Sequence, residues 1–329
     1  MPLAESRLSG VRLSSLQAAR AFAALMVLGF HLGLAVQSYF GSSALLLPFG
    51  HAGVEFFFVL SGFIVAAAHF GDIGRPARLG RFLWKRFVRI YPVYWLVFLA
   101  AYVGAYAIVK LPPDKLLIAL LLWPSDTAPV ISVAWSLQWE IVFYLLFAAA
   151  IVHPALAALG LVAVLMGLPA SPLYLSLFFG GVAAALVYRH AGSLPGRPLG
   201  WLGFLLFAGA CAADAISGVK STLWIGAGAS LLVLGLALAE RQGRTYGGHA
   251  LWQTLGDASY SIYLTHYPFI SVGCKLAMAM GLSGERWALP VYALLLVGAL
   301  LVGVALHRWV ERPLIARLNR RWADSSGAN

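Results

Sequence analysis

The chain has 329 residues, of which 61% are hydrophobic and 11% charged, and its mean hydropathy is +0.84. A soluble domain carries about 25% charged residues, so this composition excludes one and indicates an all-α integral membrane protein. The net charge of +11 is explained by where Lys and Arg fall between apolar segments, and no nucleic-acid partner is expected. Cys211 and Cys274 both lie in apolar segments and form no disulfide or metal framework. No nucleotide-binding glycine motif, zincin spacing or EF-hand loop occurs, so no metal is expected. The start, MPLAESRLSGVRLSS, lacks a cleavable signal pattern, and 1–329 reads as a single transmembrane domain.

Runs of roughly 17–25 apolar residues mark spanning helices. About ten are predicted, at 15–37, 51–70, 86–108, 133–152, 154–169, 172–189, 199–216, 221–239, 259–280 and 288–307. The apolar piece Lys115–Trp123 is too short to span and is fenced by Pro112, Pro113 and Pro124, so it reads as re-entrant or interfacial. With ten crossings and both termini cytoplasmic, 18 of the 23 basic residues face inside, as the positive-inside rule requires. Arg7, Arg12 and the five arginines from Arg308 to Arg321 are among them; Lys110, Lys115, Lys220, Lys275 and Arg286 stay outside.

The first span, LQAARAFAALMVLGFHLGL, carries two groups that a bilayer rejects, Arg20 and His31. They stand eleven residues apart, on one face of a helix and about 16 Å apart along its axis. Arg20 is compatible with snorkelling to the headgroups, but two ionisable groups on one stripe favour a working site. The second span opens with His51 and Glu55 at i,i+4, near the outer interface where both could be solvated. Deeper in that span, Gly62 permits close helix approach.

The loop and third span read RPARLGRFLWKRFVRIYPVYW. Arg86 and Arg89 share a face at i,i+3, and Tyr91 follows. This stretch is both a positive-inside signal with an aromatic belt and a candidate site for a multiply charged phosphate ligand, which paired guanidiniums suit. The fourth span, SVAWSLQWEIVFYLLF, places Glu140 roughly 12 Å in from its outer end, at a level similar to that of His31. Ser136 shares its face. Glu140 is either a packing ion pair or the carboxylate that orients and strengthens an imidazole base. Spans five to eight are rich in small residues, with Asp214 their one obvious internal carboxylate. In GDASYSIYLTHYPF the tyrosines form a stripe that reads as packing, and His266 is a weaker functional candidate than His31.

Together these motifs resemble the acyltransferase-3 family of membrane-bound acyltransferases. The resemblance rests on Arg20 and His31 at the R-x10-H spacing, GVEFFFVLSGF (53–63), RFVRIYPVYW (86–95), WSLQWE (135–140), YSIYLTH (260–266) and ERP at 311–313. It implies O-acylation, with an acyl group, typically acetyl from acetyl-CoA, moving to a hydroxyl of a cell-envelope saccharide or similar glycosylated acceptor. It also implies a bacterial cytoplasmic (inner) membrane location. Some relatives carry a fused extracytoplasmic domain; the sequence ends at Asn329 without one, so the expected mechanism does not depend on it. The family's key histidine and its basic partner fall on His31 and Arg20, and its helix-4 carboxylate on Glu140.

His31 and Glu140 are expected to be catalytic, with His31 as general base. Arg20, Arg86, Arg89 and Tyr91 are expected to bind the acyl-CoA donor, and His51, Glu55, Trp135 and Ser136 to bind the acceptor. A multi-helix transporter or flippase of an envelope glycan precursor is the alternative, but it lacks a repeat between halves or paired broken helices. A scaffold protein leaves Arg20, His31 and Glu140 unexplained.

Overall fold

The computed structural model describes residues 13–105, 112–125, 129–168, 171–190 and 193–326. Among them there is no strand. The helices are α1 (Ser14–Phe40), α2 (Ala52–His69), α3 (Leu79–Ala105), α4 (Pro113–Leu121), α5 (Trp135–Val152), α6 (Pro154–Gly167) and α7 (Ser171–His190). They continue with α8 (Gly196–Ser217), α9 (Thr222–Arg241), α10 (Ala250–Asp257), α11 (Ser259–Ala279), α12 (Ala288–Leu306) and α13 (Arg312–Ser326). A π-helical turn, His307–Glu311, joins α12 to α13.

Each of the ten expected spans falls on a helix. Among the described residues, eight helical stretches are long and apolar enough to cross a membrane: Ser14–Phe40, Pro48–Asp72, Pro76–Gly104, Ser132–Val152, Pro172–His190, Gly196–Ser217, Thr222–Arg241 and Glu285–Asp324. The other two expected spans differ for separate reasons. With 14 residues, α6 rises about 21 Å, less than a hydrocarbon core of about 30 Å. The 21-residue α11 has the length but carries Ser259, Tyr260, Ser261, Tyr263, Thr265 and His266, which lower its hydropathy. The expected ends of the third and fifth spans (106–108 and 169), and Arg7, Arg12 and Lys110, lie outside the described residues.

The helices group into two compact units, and α1 passes from one to the other after Val27. The first unit combines the start of α1 with 48–79 and 142–256. The first backbone N–H groups of α1 lack intrahelical acceptors, and Glu240 at the end of α9 supplies them. Its two carboxylate oxygens accept from the Ser14 and Ser15 N–H groups, each at 2.8 Å. An anion at a helix N-terminus is also favoured by the helix dipole. Within this unit α2 and α7 cross backbone to backbone. A Cβ on Gly62 would fall on the Phe178 carbonyl oxygen, and one on Gly181 on that of Val59. Only glycine allows that approach.

The second unit holds 28–47, 80–141 and residues from 257 onward. Here α4 covers much of the apolar piece 115–123 and ends at Leu122, which adopts the left-handed conformation (φ 54°). A side chain there costs roughly 1–2 kcal/mol, and burial of Leu122 offsets it. The last carbonyls of a helix lack a full set of i+4 donors; in α4 the Leu122 N–H reaches Ala119 O at 3.1 Å, and α3 provides further donors. Tyr94 Oη donates to Ala119 O (2.8 Å), Trp95 Nε1 to Leu120 O (2.9 Å) and Tyr91 Oη to Leu121 O (2.8 Å). Gln138 Nε2 donates to Trp123 O (3.0 Å).

Candidate functional site

His31 sits on the second half of α1, partly buried. Its Nδ1 lies 3.2 Å from Nε2 of His266 on α11. The two rings are 5.0 Å apart and tilted by 52°, and Tyr267 meets the His31 ring edge-on at 5.5 Å. His266 is fully buried. Its Nδ1 faces the Tyr263 carbonyl at 2.6 Å and the Ile262 carbonyl at 3.2 Å. From the sequence His266 is a weaker candidate than His31; the structure makes it a partner of His31. The same contact puts the two rings at one level.

One turn earlier on α11, Tyr263 meets Ser136 of α5 with hydroxyls 2.7 Å apart. Both hydroxyls also reach the Val133 carbonyl, at 3.0 and 3.1 Å. Thus α11 holds the partners of both His31 and Ser136. Glu140, one turn further along α5, is partly buried, as is Trp135. Arg20 lies on α1 three turns before His31, also partly buried.

The candidate donor residues divide. Arg86 lies with its guanidinium 5.8 Å from the Phe82 ring centre. Arg89 Nη1 pairs with Glu311 at 2.5 Å, and its guanidinium lies 5.2 Å from the Tyr260 ring centre. Glu311 is 0% exposed and also accepts from Ser261 Oγ (2.7 Å) and His307 Nδ1 (2.8 Å). The Tyr260 hydroxyl donates to Ile90 O at 2.8 Å. Three stretches far apart in sequence, RFVRIYP, YSIYLTH and the segment closing in ERP, therefore meet around one buried carboxylate. Glu311, Ser261 and His307 were not singled out from sequence as functional. The signal available was the glutamate of ERP, embedded at the end of an apolar helix. The Tyr91 hydroxyl, assigned to the donor from sequence, donates to α4.

In the first unit, His51 lies between two carboxylates. Nδ1 is 3.3 Å from Glu55 Oε1, and Nε2 is 3.6 Å from Asp214 Oδ2. Asp214 Oδ1 accepts from the Ser221 N–H at 2.6 Å, which fixes the carboxylate at the end of α8. Glu55 and Asp214 are buried. The i,i+4 spacing predicts the pairing of His51 with Glu55, whereas nothing in the sequence links either to Asp214. Among the described residues, no group of three or more His, Cys, Asp or Glu side chains is arranged to hold a metal ion.

Among the described residues, eight helical stretches long and apolar enough to cross a membrane fit a multi-span membrane protein, and its relatives supply the class of reaction. Residues 13–309 match the acyltransferase-3 family, described as an acyltransferase domain. The chain belongs to this family and is a membrane acyltransferase. It is 32% identical to the exopolysaccharide production protein ExoZ of Rhizobium meliloti (strain 1021), over 82% of this chain and 90% of that protein. It is 29% identical to the acyltransferase MdmB of Streptomyces mycarofaciens, over 94% of both chains. No solved structure gives a significant match.

Proposed function

We propose that the protein is an O-acyltransferase that moves an acyl group, acetyl in the simplest case, from acyl-CoA to a hydroxyl of an extracytoplasmic saccharide or glycosylated acceptor. The observation that carries this reading is His31, an imidazole held deep in a spanning helix of a chain from an acyltransferase family. The relative named for exopolysaccharide production supports the saccharide class of acceptor.

In this mechanism His31 takes the proton of the acceptor hydroxyl as its oxygen bonds to the acyl carbon. When the carbon–sulfur bond breaks, the imidazolium returns that proton to the departing sulfur. Glu140 stabilises the protonated form of His31 through its negative charge. Arg20 and Arg86 provide positive charge for the donor's phosphates at the cytoplasmic side, as does Arg89 while anchored to Glu311. His51, Glu55, Trp135 and Ser136 contribute to holding the acceptor. The protein sits in the bacterial inner membrane with both termini in the cytoplasm.

The test is acyl-CoA turnover by purified protein in nanodiscs, with mass spectrometry of envelope glycans from cells with and without the gene. The expected result is acceptor-dependent release of coenzyme A thiol and a glycan mass shift of one acyl group. Glycans identical in both strains, together with no thiol release, would overturn the assignment in favour of a transporter.

A further inference from the structure

We propose that His266 is a positioning residue that sets the tautomer of His31, so that the nitrogen of His31 that takes the acceptor's proton is Nε2. The proposal rests on the reading of His31 as general base.

His266 Nδ1 lies 2.6 Å from the Tyr263 oxygen and 3.2 Å from that of Ile262. A carbonyl oxygen has no proton to give, so Nδ1 of His266 carries the hydrogen. Among the described residues, the other contacts of this side chain are the His31 ring and the aromatic ring of Tyr263. None compensates a positive charge, and burying an uncompensated ion is costly. The His266 ring is therefore neutral, with its lone pair on Nε2.

That lone pair faces His31 Nδ1 at 3.2 Å. Two lone pairs do not make a hydrogen bond, so Nδ1 of His31 must carry hydrogen and donate it. A neutral imidazole has one N–H and one lone pair, and the lone pair of His31 then lies on Nε2. The relay is a carbonyl, a buried imidazole and a second imidazole, each fixing the proton of the next. It is the logic by which a buried hydrogen-bond acceptor orients a catalytic histidine, here with a neutral ring as the acceptor. His266 moves no proton itself. Its Nε2 keeps the Nδ1–H of His31 in place while Nε2 of His31 is protonated and deprotonated, which assigns orientation to His266 and charge stabilisation to Glu140.

The test combines kinetics with nitrogen NMR of histidine-labelled protein in nanodiscs. In the wild type, the His31 ring should show a protonated Nδ1 and a non-protonated Nε2. His266→Phe, which removes the acceptor, should lower kcat by about 10²-fold, the lower end of positioned acid–base catalysis, with KM for acyl-CoA unchanged. His266→Gln keeps an oxygen able to accept from His31 Nδ1–H and should recover about tenfold of that loss. A wild-type His31 carrying its proton on Nε2, or wild-type kcat in His266→Phe, would overturn the proposal. If His266→Phe does not fold, the wild-type tautomer and the His266→Gln rate decide. Activity in His31→Ala would refute the base reading instead; the tautomer measurement is independent of it.

Discussion

Arg86 and Arg89 stand almost one turn apart on α3, but substituting them should have different effects. Arg89 is paired with the fully buried Glu311, and removing one member of such a pair strands a charge at a cost of about 3–5 kcal/mol. Arg89→Ala should therefore show a large drop in thermal stability in detergent, and Glu311→Leu made together with Arg89→Met should recover much of it. Arg86→Ala should fold normally and raise KM for acyl-CoA; an unchanged KM would return Arg86 to the positive-inside signal. For His31→Ala the expected loss is about 10²–10⁴-fold in turnover, with a normal unfolding curve. Near-normal turnover would leave His31 as a packing residue. At this scale the sequence is legible where spacing along one helix predicts a shared face, as it does for Arg20 with His31 or Ser136 with Glu140. It was silent on pairs such as His31 with His266 and Arg89 with Glu311, 235 and 222 residues apart. Helical periodicity says which face a side chain occupies, but the partner across the bundle depends on how the helices pack.

At the scale of elements, α4 is fenced by prolines in the sequence, and its shortness was legible from them. What ends it was not. Tyr91, Tyr94 and Trp95 read as an aromatic belt, whereas the structure uses their polar ends as donors to three successive carbonyls. Each such bond contributes about 1 kcal/mol, so Tyr94→Phe and Tyr91→Phe together should speed amide exchange along α4 while leaving α5 unchanged. Equal exchange in wild type and double variant would show that burial of Leu122 alone holds the helix. Gly62 was legible as a close-approach residue. A larger side chain there meets backbone that cannot move aside, so Gly62→Val should cost at least about 1–3 kcal/mol and lower the yield of folded protein. The length of α11 was legible too. Its low hydropathy has a physical reason in Tyr260, Ser261, Tyr263 and His266, each of which finds a polar partner inside the protein.

For the whole molecule, the proposed topology makes a prediction of its own. A reporter active only outside the cytoplasm, fused after Asn329, should be silent; activity would reverse the orientation. Substrate sidedness is a second test. Arg20 and His31 are about 16 Å apart along α1, a distance of the order that an extended pantetheine arm covers. In sealed vesicles of known orientation, acyl-CoA on the cytoplasmic face should acylate an impermeant acceptor on the other face. Transfer only when both substrates share the cytoplasmic face would refute transfer through the membrane but not acyl transfer itself.

The distance in sequence between Arg89 and its carboxylate also bears on how the protein is made. Residue 89 leaves the ribosome long before residue 311, so α3 first enters the bilayer with a guanidinium whose partner has not been synthesised. The start of α1 likewise waits for Glu240 to cap it. Until Glu311 is made, α3 lacks the buried carboxylate that anchors it in the finished protein, which makes the incomplete chain a less stable species than the finished one. Arrival of the π-helical turn near the C-terminus removes that burden in a single step. Nascent chains arrested before Glu311 should accordingly be exposed to membrane proteases, whereas completion of that turn would release the protein from quality control.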